Sequence, residues 1–167
     1  PFALSGLERR SNKFGFITGS SNNSSQCWSP TNWVELGKRI LKQNPDNVIH
    51  LYGTSADCEA TDAIAMKLPA AKVKNQAGTT DLQGLAKELA TCALVVGNDT
   101  GGIHLANAVG SPVAVLYGPT NPIATGPFFN SPKSCIQPEG CLPEGGALME
   151  SLSVETVING INELMKT

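Results

Sequence analysis

The sequence predicts an α/β domain in which a doubly wound parallel sheet is covered by helices on both faces. Four short runs are apolar at successive positions, as strands buried on both faces are expected to be. Each run is closed by glycine and small polar residues, and helical patterns separate the runs. This alternation is typical of right-handed β–α–β crossovers. The runs are residues 14–18, 48–52, 94–96 and 113–117.

Five further segments carry the 3.6-residue apolar period of amphipathic helices. The first begins at Pro30 behind Ser29, a pairing typical of a helix start. The fourth ends at Gly110 and Pro112, which are both stop signals. A weak strand is expected at residues 72–74, and the prolines and glycines of residues 130–150 predict an irregular loop. The helices are predicted to begin at residue 30, to cover residues 57–68, 81–92 and 100–109, and to resume near residue 153.

Length and charge indicate one domain that does not bind nucleic acid. The chain has 167 residues, of which 1–13 are predicted to be a linker and 14–167 a single domain. Because it begins with Pro1 rather than Met, we expect it to be a fragment of something longer. Its 12 Lys and Arg residues against 14 Asp and Glu give a formal net charge of −2. That balance lacks the basic excess of a nucleic-acid-binding surface.

The cysteines predict neither a disulfide framework nor a metal site. The chain has five cysteines, which are scattered and without CxxC spacing. This pattern argues against both a disulfide framework and a metal site. Cys135 and Cys141 have the chemistry to pair or to bind a metal, but their place in an irregular loop favours a spectator role. No signal peptide or membrane-spanning helix is visible, because glycine and proline break residues 100–132, the longest run without charged residues.

The ends of the four predicted strands are the expected binding region. Ligands of open α/β sheets bind beyond the carboxyl ends of the strands, where the strand order reverses. All four ends combine glycine with hydroxyl or amide groups, which suit a polar, phosphate-rich ligand. None is a G-x-G-x-x-G fingerprint or a Walker A loop, so a dinucleotide dehydrogenase and a P-loop NTPase are disfavoured. Asp99 is the only carboxylate directly at one of these ends, whereas a receiver-like module would need clustered acids.

The most specific of these ends is the segment 98–104, which reads NDTGGIH. Either Asp99 or Thr100 is the expected N-cap of the following helix, whose first free N–H groups and dipole attract an anion such as a diphosphate. Gly101 and Gly102 remove side chains that would block that approach. His104 has the reach to donate to a phosphate or a sugar hydroxyl. The structural alternative is that Asp99 is an ordinary N-cap, that the two glycines only let the helix pack on the sheet, and that His104 is a structural residue.

Other candidate residues also have two interpretations. Glu59 is either an acceptor for a ribose diol or an ordinary acid in a first helical turn. His50, inside a strand, is expected to be a hydrogen-bonded core residue. Trp28 and Trp33 are expected to pack the first helix rather than stack on a base.

The sequence resembles glycosyltransferase family 9, the ADP-heptose:lipopolysaccharide heptosyltransferases. The resemblance rests on residues 97–108 (GNDTGGIHLANA) followed by residues 112–122 (PVAVLYGPTNP). It extends upstream through shorter matches and covers roughly residues 14–130. The long pattern is far more specific than any of its pieces. The upstream matches are Gly19-Ser20-Ser21, Trp28-Ser29-Pro30, Leu51-Tyr52-Gly53 and residues 75–80 (NQAGTT).

The resemblance implies a GT-B enzyme with two Rossmann-like domains, of which this chain would be the C-terminal, donor-binding half. The expected reaction is inverting transfer of heptose from ADP-heptose, a substrate rather than a cofactor, to the lipopolysaccharide inner core. No metal is implied. Glu59 would hold the ribose, and the adenine would rest near residues 75–78. The residues implied to bind the diphosphate and the sugar are Ser20, Ser21, Asp99, Thr100, Gly101, Gly102 and His104.

Two departures limit what the resemblance implies. Family members often carry a lysine two residues before the tryptophan of the first loop, where this chain has Gln26. A neutral amide loses a charge-assisted hydrogen bond to phosphate worth about 1.5–3 kcal/mol. The acceptor site and the catalytic carboxylate base belong to the family's N-terminal half, which this chain lacks. We therefore expect weak nucleotide binding and no catalysis by the chain alone.

Two other functions stay open on the sequence. One is a GT-B domain for a different nucleotide sugar, and the other is a non-catalytic nucleotide-binding α/β module. For the full bacterial enzyme, the resemblance implies a cytoplasmic protein at the inner membrane that acts on a lipid-linked core oligosaccharide.

Overall fold

The computed structural model describes residues 12–19 and 24–166. Within that part of the chain six strands form one all-parallel sheet. The strands are β1 (Lys13–Ile17), β2 (Val48–Tyr52), β3 (Val73–Asn75), β4 (Leu94–Asn98), β5 (Val113–Leu116) and β6 (Lys133–Ile136). Their order is β3-β2-β1-β4-β5-β6, the classic dinucleotide-fold order that reverses between β1 and β4.

Helices connect and cover the strands. The α-helices of the described residues are α1 (Pro30–Gln43), α2 (Cys58–Ala65), α3 (Leu82–Ala90), α4 (Gly101–Ala108), the short α5 (Pro122–Thr125) and α6 (Val154–Leu164). Three begin at predicted polar residues whose side chains accept a backbone N–H three positions on. These N-caps are Ser29 of α1, Asp81 of α3 and Ser153 of α6, and such caps stabilise a helix by about 1 kcal/mol.

Two apolar cores lie on opposite faces of the sheet. On one face α1, α2 and α6 pack against alternate strand residues such as Phe16 and Leu51. On the other face α3 and α4 pack against the intervening residues, such as Ile17 and Val95. Neighbouring strand residues are therefore buried on opposite sides, which explains the continuous apolar runs. The predicted doubly wound, Rossmann-like α/β fold is confirmed.

The aromatic residues of the β1–α1 region belong to the first core. Trp28 and Trp33 are 2% and 1% exposed, and their rings meet edge to face with centroids 5.3 Å apart. The indole N–H of Trp28 donates to the backbone oxygen of Leu152 at 2.8 Å. Both tryptophans therefore pack the first helix, as predicted.

The structure corrects several predicted boundaries. β6 lies inside the predicted irregular loop, where the polar run of Lys133, Ser134 and Cys135 gave no strand signal. β1 begins at Lys13, one residue before the predicted start, and the rest of the predicted linker, residues 1–11, lies outside the described residues. α2 and α3 end at Ala65 and Ala90, so the apolar periodicity continues past each helix into turn residues.

None of the helices formed by residues 12–19 and 24–166 is both long enough and apolar enough to cross a membrane.

Candidate functional site

A cavity of about 450 Å³ opens at the carboxyl ends of β1, β2 and β4. Its position beside the reversal of strand order is the one expected for a ligand of an open α/β sheet. The sides are the strand ends, the turn before α2 and the first turns of α3 and α4. The lining residues are Ile17, Gly19, Tyr52, Gly53, Thr54, Ser55, Asp57, Gly78, Thr80, Asp81, Leu82, Leu85, Thr100, Gly101 and Gly102.

The start of α4 offers unpaired donors to this cavity. Thr100 is the N-cap with an extended backbone (φ −145°, ψ 166°), but its side chain makes no capping hydrogen bond. Among the described residues, neither Gly101 nor Gly102 donates its N–H to a protein acceptor. The hydroxyl oxygen of Thr100 is buried and has no partner within that same part of the chain. We call residues 100–102 the α4 cradle, and it has the polarity of an anion site.

The glycines of this region differ in what surrounds them. A Cβ at Gly97 would lie 3.0 Å from the Cβ of Ile17, and one at Gly102 would lie 3.1 Å from the Cδ1 of the same residue. Both glycines therefore let α4 and β4 approach β1. A Cβ at Gly101 would meet no atom of residues 12–19 and 24–166 within 4 Å, so among these residues the glycine leaves open space at the cradle. Gly102 thus makes the packing contact considered for this motif, and the ligand roles of Gly101 and Gly102 stay predictions.

Asp57 is a site carboxylate that the sequence interpretation missed. Its Oδ2 accepts from the N–H of Thr54 at 2.7 Å and from the hydroxyl of Thr54 at 2.8 Å. A Cβ added at Gly19 would overlap the carboxylate, and one at Gly53 would lie 2.8 Å from the Cβ of Asp57. The statement that Asp99 is the only carboxylate at a strand end is therefore wrong. The error arose because Asp57 reaches the ends of both β1 and β2 from a short turn after them.

Asp99 and His104 lie beside the cradle rather than in the cavity lining. The carboxylate Oδ2 of Asp99 accepts from the hydroxyl of Thr125 at 2.7 Å, and Oδ1 lies 3.4 Å from the Nε2 of His104. The side chain of Asp99 is 7% exposed and that of His104 is 40% exposed. The structure thus brings Asp99 and His104 together, and Thr100 rather than Asp99 is the N-cap.

Other predicted site residues are placed differently. Glu59 is exposed in the first turn of α2 and does not line the cavity. Gln26 ends a short 3-10 turn ahead of Trp28 and is half-buried. Ser20 and Ser21 lie outside the described residues. Cys135 and Cys141 are free thiols, so they do not form the pair considered above.

Asn98 joins the end of β4 to the residue after β1 and to Trp28 before α1. It is fully buried; its amide nitrogen donates to the backbone oxygen of Thr18 at 2.8 Å, and its side-chain oxygen accepts from the N–H of Trp28 at 3.3 Å. Sequence reasoning treated Asn98 only as part of a motif. The available signal for a structural role of Asn98 was its place at the end of an otherwise apolar strand. A buried amide must find hydrogen-bond partners.

Asn75 at the end of β3 and Gln76 after it are bonded to α2 and to β2. The amide nitrogen of Asn75 donates to Thr61 at 3.0 Å and to Asp62 at 2.7 Å. The side-chain oxygen of Gln76 lies 2.8 Å from the Nδ1 of His50. His50 is therefore hydrogen-bonded as predicted, but it is half-buried rather than part of either core. Of residues 75–78, Gly78 alone lines the cavity. The apolar part of the lining is instead Leu82 and Leu85 on α3.

Tyr52 connects this cavity with a polar cluster beneath it. Its ring lines the cavity, and its hydroxyl donates to the Oε2 of Glu88 at 3.2 Å. Lys13 donates to the same oxygen at 2.9 Å, and this contact lowers the pKa of Glu88. Burial raises the pKa of Tyr52 far above its ordinary value. Tyr52 therefore remains a neutral donor at any physiological pH.

Comparison with known proteins places these features in a family. The family model described as glycosyltransferase family 9 (heptosyltransferase) matches residues 3–151. Lipooligosaccharide heptosyltransferase 2 of Haemophilus influenzae is 29% identical over 163 residues, which are 90% of this chain and 46% of that protein. Lipopolysaccharide heptosyltransferase 2 of Salmonella typhimurium is 33% identical over 117 residues, which are 68% of this chain and 33% of that protein.

Solved structures give the same result. The structure of E. coli ADP-heptose lps heptosyltransferase II matches with a TM-score of 0.81 and 25% identity, covering 96% of this chain and 48% of that one. E. coli heptosyltransferase WaaC with ADP matches with a TM-score of 0.77 and 25% identity, covering 96% and 47%. The matches thus cover between 28% and 50% of the length of the curated relatives that this chain matches.

Proposed function

The chain belongs to glycosyltransferase family 9, and from that premise we propose that it is the donor-binding domain of an inverting heptosyltransferase. In this role it binds ADP-heptose, whose sugar passes to the inner core of lipopolysaccharide. The single observation that carries the proposal is the α4 cradle. Its free N–H groups face a cavity at the reversal of strand order, beside loops that contribute mostly glycine and hydroxyl groups.

The diphosphate of the donor would bind at the α4 cradle. The N–H groups of Gly101 and Gly102 are unpaired among the described residues, and the positive end of the helix dipole attracts the anion. Ser20 and Ser21 remain predicted partners of the same phosphates. Gln26 can contribute only a neutral hydrogen bond to the phosphates. The peptide N–H groups must therefore supply more of the phosphate binding than they would if position 26 were a lysine.

The nucleoside would occupy the cavity between the cradle and α3. Leu82 and Leu85 supply an apolar wall for a base, which moves the proposed adenine position away from Asn75 and Gln76, whose side chains are engaged elsewhere. Asp57 and Asp81 line the same cavity, and carboxylate oxygens accept from ribose hydroxyls. Because Asp57 lies in the lining and Glu59 does not, Asp57 is the better placed ribose acceptor; the role of Glu59 stays a prediction.

The chemistry assigned to this chain is stabilisation of the leaving group. As the bond between heptose and ADP breaks, negative charge grows on the diphosphate, and preorganised N–H donors stabilise that charge more strongly than water does. Asp99 and His104 lie outside the cavity lining, next to the cradle in the chain, and the sugar is proposed to extend toward them. The base that deprotonates the acceptor hydroxyl is proposed to come from a second domain of the full enzyme. We therefore expect this chain alone to bind ADP and to transfer no sugar.

Titration with ADP, UDP and GDP, followed by backbone amide chemical shifts, tests this proposal. We expect ADP to cause the largest shifts, centred on residues 100–104 and on the loop at Gly78. Stronger shifts with UDP would favour a different nucleotide-sugar donor. No response to any of the three at millimolar concentration would contradict nucleotide binding and leave a non-catalytic role in interaction.

A further inference from the structure

α4 begins unlike α1, α3 and α6, and resembles α2 in that its N-cap side chain makes no capping hydrogen bond. Ser29, Asp81 and Ser153 each cap their helix by accepting a backbone N–H three positions on. Thr100 makes no such bond. Asp99, the residue before it, has a carboxylate, yet both carboxylate oxygens face Thr125 and His104. A strong acceptor thus lies next to unpaired donors without engaging them.

A carboxylate in this position would ordinarily bind the helix start. In this chain the side-chain oxygens of Asn44, Asn75 and Asn121 each accept the N–H two residues ahead, at 2.9, 3.1 and 2.9 Å. The equivalent partner of Asp99 is the N–H of Gly101. A charged carboxylate accepts more strongly than an amide does, and the helix dipole favours it further. If released, Asp99 would therefore occupy the α4 cradle itself.

We propose that Thr125 is a positioning residue that holds the carboxylate of Asp99 away from the α4 cradle and so keeps its N–H groups free for the diphosphate. The proposal rests on the proposed function, because it assumes that the cradle binds the donor anion. The hydroxyl of Thr125 lies 2.7 Å from Oδ2 of Asp99 and 3.0 Å from the backbone oxygen of Asn121. The carboxylate is the closer acceptor and the charged one, so the hydroxyl proton is donated to it. This bond fixes the side-chain torsion of Asp99 and directs Oδ1 toward His104.

Thr125 is itself fixed by the short helix α5. The side chain of Asn121 accepts from the N–H groups of Ile123 and Ala124, and Pro122 begins the helix. The buried Tyr117 donates its hydroxyl to the backbone oxygen of Thr125 at 3.3 Å. The hydroxyl of Thr125 therefore meets Asp99 from a preformed element that follows β5.

Binding of ADP to the Thr125→Val variant, measured by calorimetry, tests this role. Valine keeps the branched shape and removes the hydroxyl, so Asp99 becomes free to compete with ADP for the N–H of Gly101. We expect ADP affinity to fall about fivefold, the effect of losing one capping-type hydrogen bond. Thr125→Ser keeps the donor and should keep the affinity. Thr156→Val, the same change on the remote helix α6, is the matched control and should bind as the unsubstituted chain does.

A double substitution separates competition from damage to the fold. In the Asp99→Ala background no carboxylate is left to compete, so adding Thr125→Val should leave ADP affinity unchanged. The melting temperature of Thr125→Val should stay the same or rise, because the released carboxylate caps α4. The role of Thr125 would be overturned if Thr125→Val lowered the melting temperature and lowered ADP affinity equally in the unsubstituted chain and in Asp99→Ala. Unchanged ADP affinity in the single variant Thr125→Val would overturn it too. If the unsubstituted chain bound no ADP, the proposed function itself would fall.

Discussion

At the scale of single residues, the site depends on the difference between glycines that allow packing and glycines that leave space. The motif around Asp99 and Thr100 could be predicted from sequence because its spacing places it at a strand end and a helix start. Asp57 could not be predicted, because its place in the site depends on its closeness to Gly19, which follows a different strand, β1. A local pattern indicates which backbone groups are free, but not which distant side chain reaches them.

The pair Gly101→Ala and Gly97→Ala tests this division. A methyl at Gly101 meets no atom of the described residues within 4 Å and favours helix formation by about 0.5–1 kcal/mol, so stability should not fall. The methyl occupies space beside the α4 cradle, so ADP affinity should fall several-fold. At Gly97 the methyl would press on Ile17 at 3.0 Å, and we expect lower stability. Calorimetry with ADP and thermal unfolding measure both effects, and lost stability in Gly101→Ala would contradict the assignment.

At the scale of secondary-structure elements, strands with two buried faces were the easiest to predict, and the edge of the sheet was the hardest. β4 and β5 are buried along their whole length, and their apolar runs are continuous. β6 has one neighbour, β5, and its exposed residues Lys133 and Cys135 need not be apolar. Its strand conformation follows from pairing with β5, which no local sequence pattern reports.

The β2–β3 edge should make stability depend on pH through His50. Burial lowers the pKa of His50 below its ordinary value near 6.5, although its hydrogen bond with Gln76 opposes the shift. Glu88 also opposes the shift, whereas Lys13 and Lys74 add to it. Between the folded and the ordinary value the unfolded chain binds more protons, so stability rises with pH in that window and is lost as pH falls through it.

Urea unfolding at about pH 7.5 and about pH 5.5 measures this effect. We expect the original chain to be less stable at the lower pH, and His50→Gln to show a smaller difference between the two conditions. Lys74→Gln removes an exposed charge on the neighbouring strand and should keep most of the difference. An unchanged difference in His50→Gln would show that other groups cause the pH dependence.

At the scale of the whole molecule, the parallel sheet gives the domain two chemically different ends. The carboxyl end of the strands bears the α4 cradle and the cavity of about 450 Å³. The opposite end carries a groove of about 530 Å³ bordered by Phe14, Asn47, Pro112 and Ile161. Within the described residues, the free N–H groups at the start of α4 lie at the first end, because each helix begins after the carboxyl end of a parallel strand and returns antiparallel to it. The sequence could predict this polarity, but not the wall of α3 that completes the cavity, since that wall depends on packing.

Hydrogen exchange with and without ADP tests this polarity in the whole chain. At a concentration of one hundred times its dissociation constant, ADP stabilises the folded state by about 2.7 kcal/mol, which corresponds to a melting-temperature rise of roughly 5–10 °C for a domain of this size. Beyond that uniform effect, the amides of Gly101, Gly102 and Gly78 should gain local protection because the ligand covers them. Amides near Asn47 and Ile161 should change only with global stability. Local protection centred on the groove at the amino end of the strands would place the nucleotide at the wrong end of the sheet and overturn the donor-binding proposal.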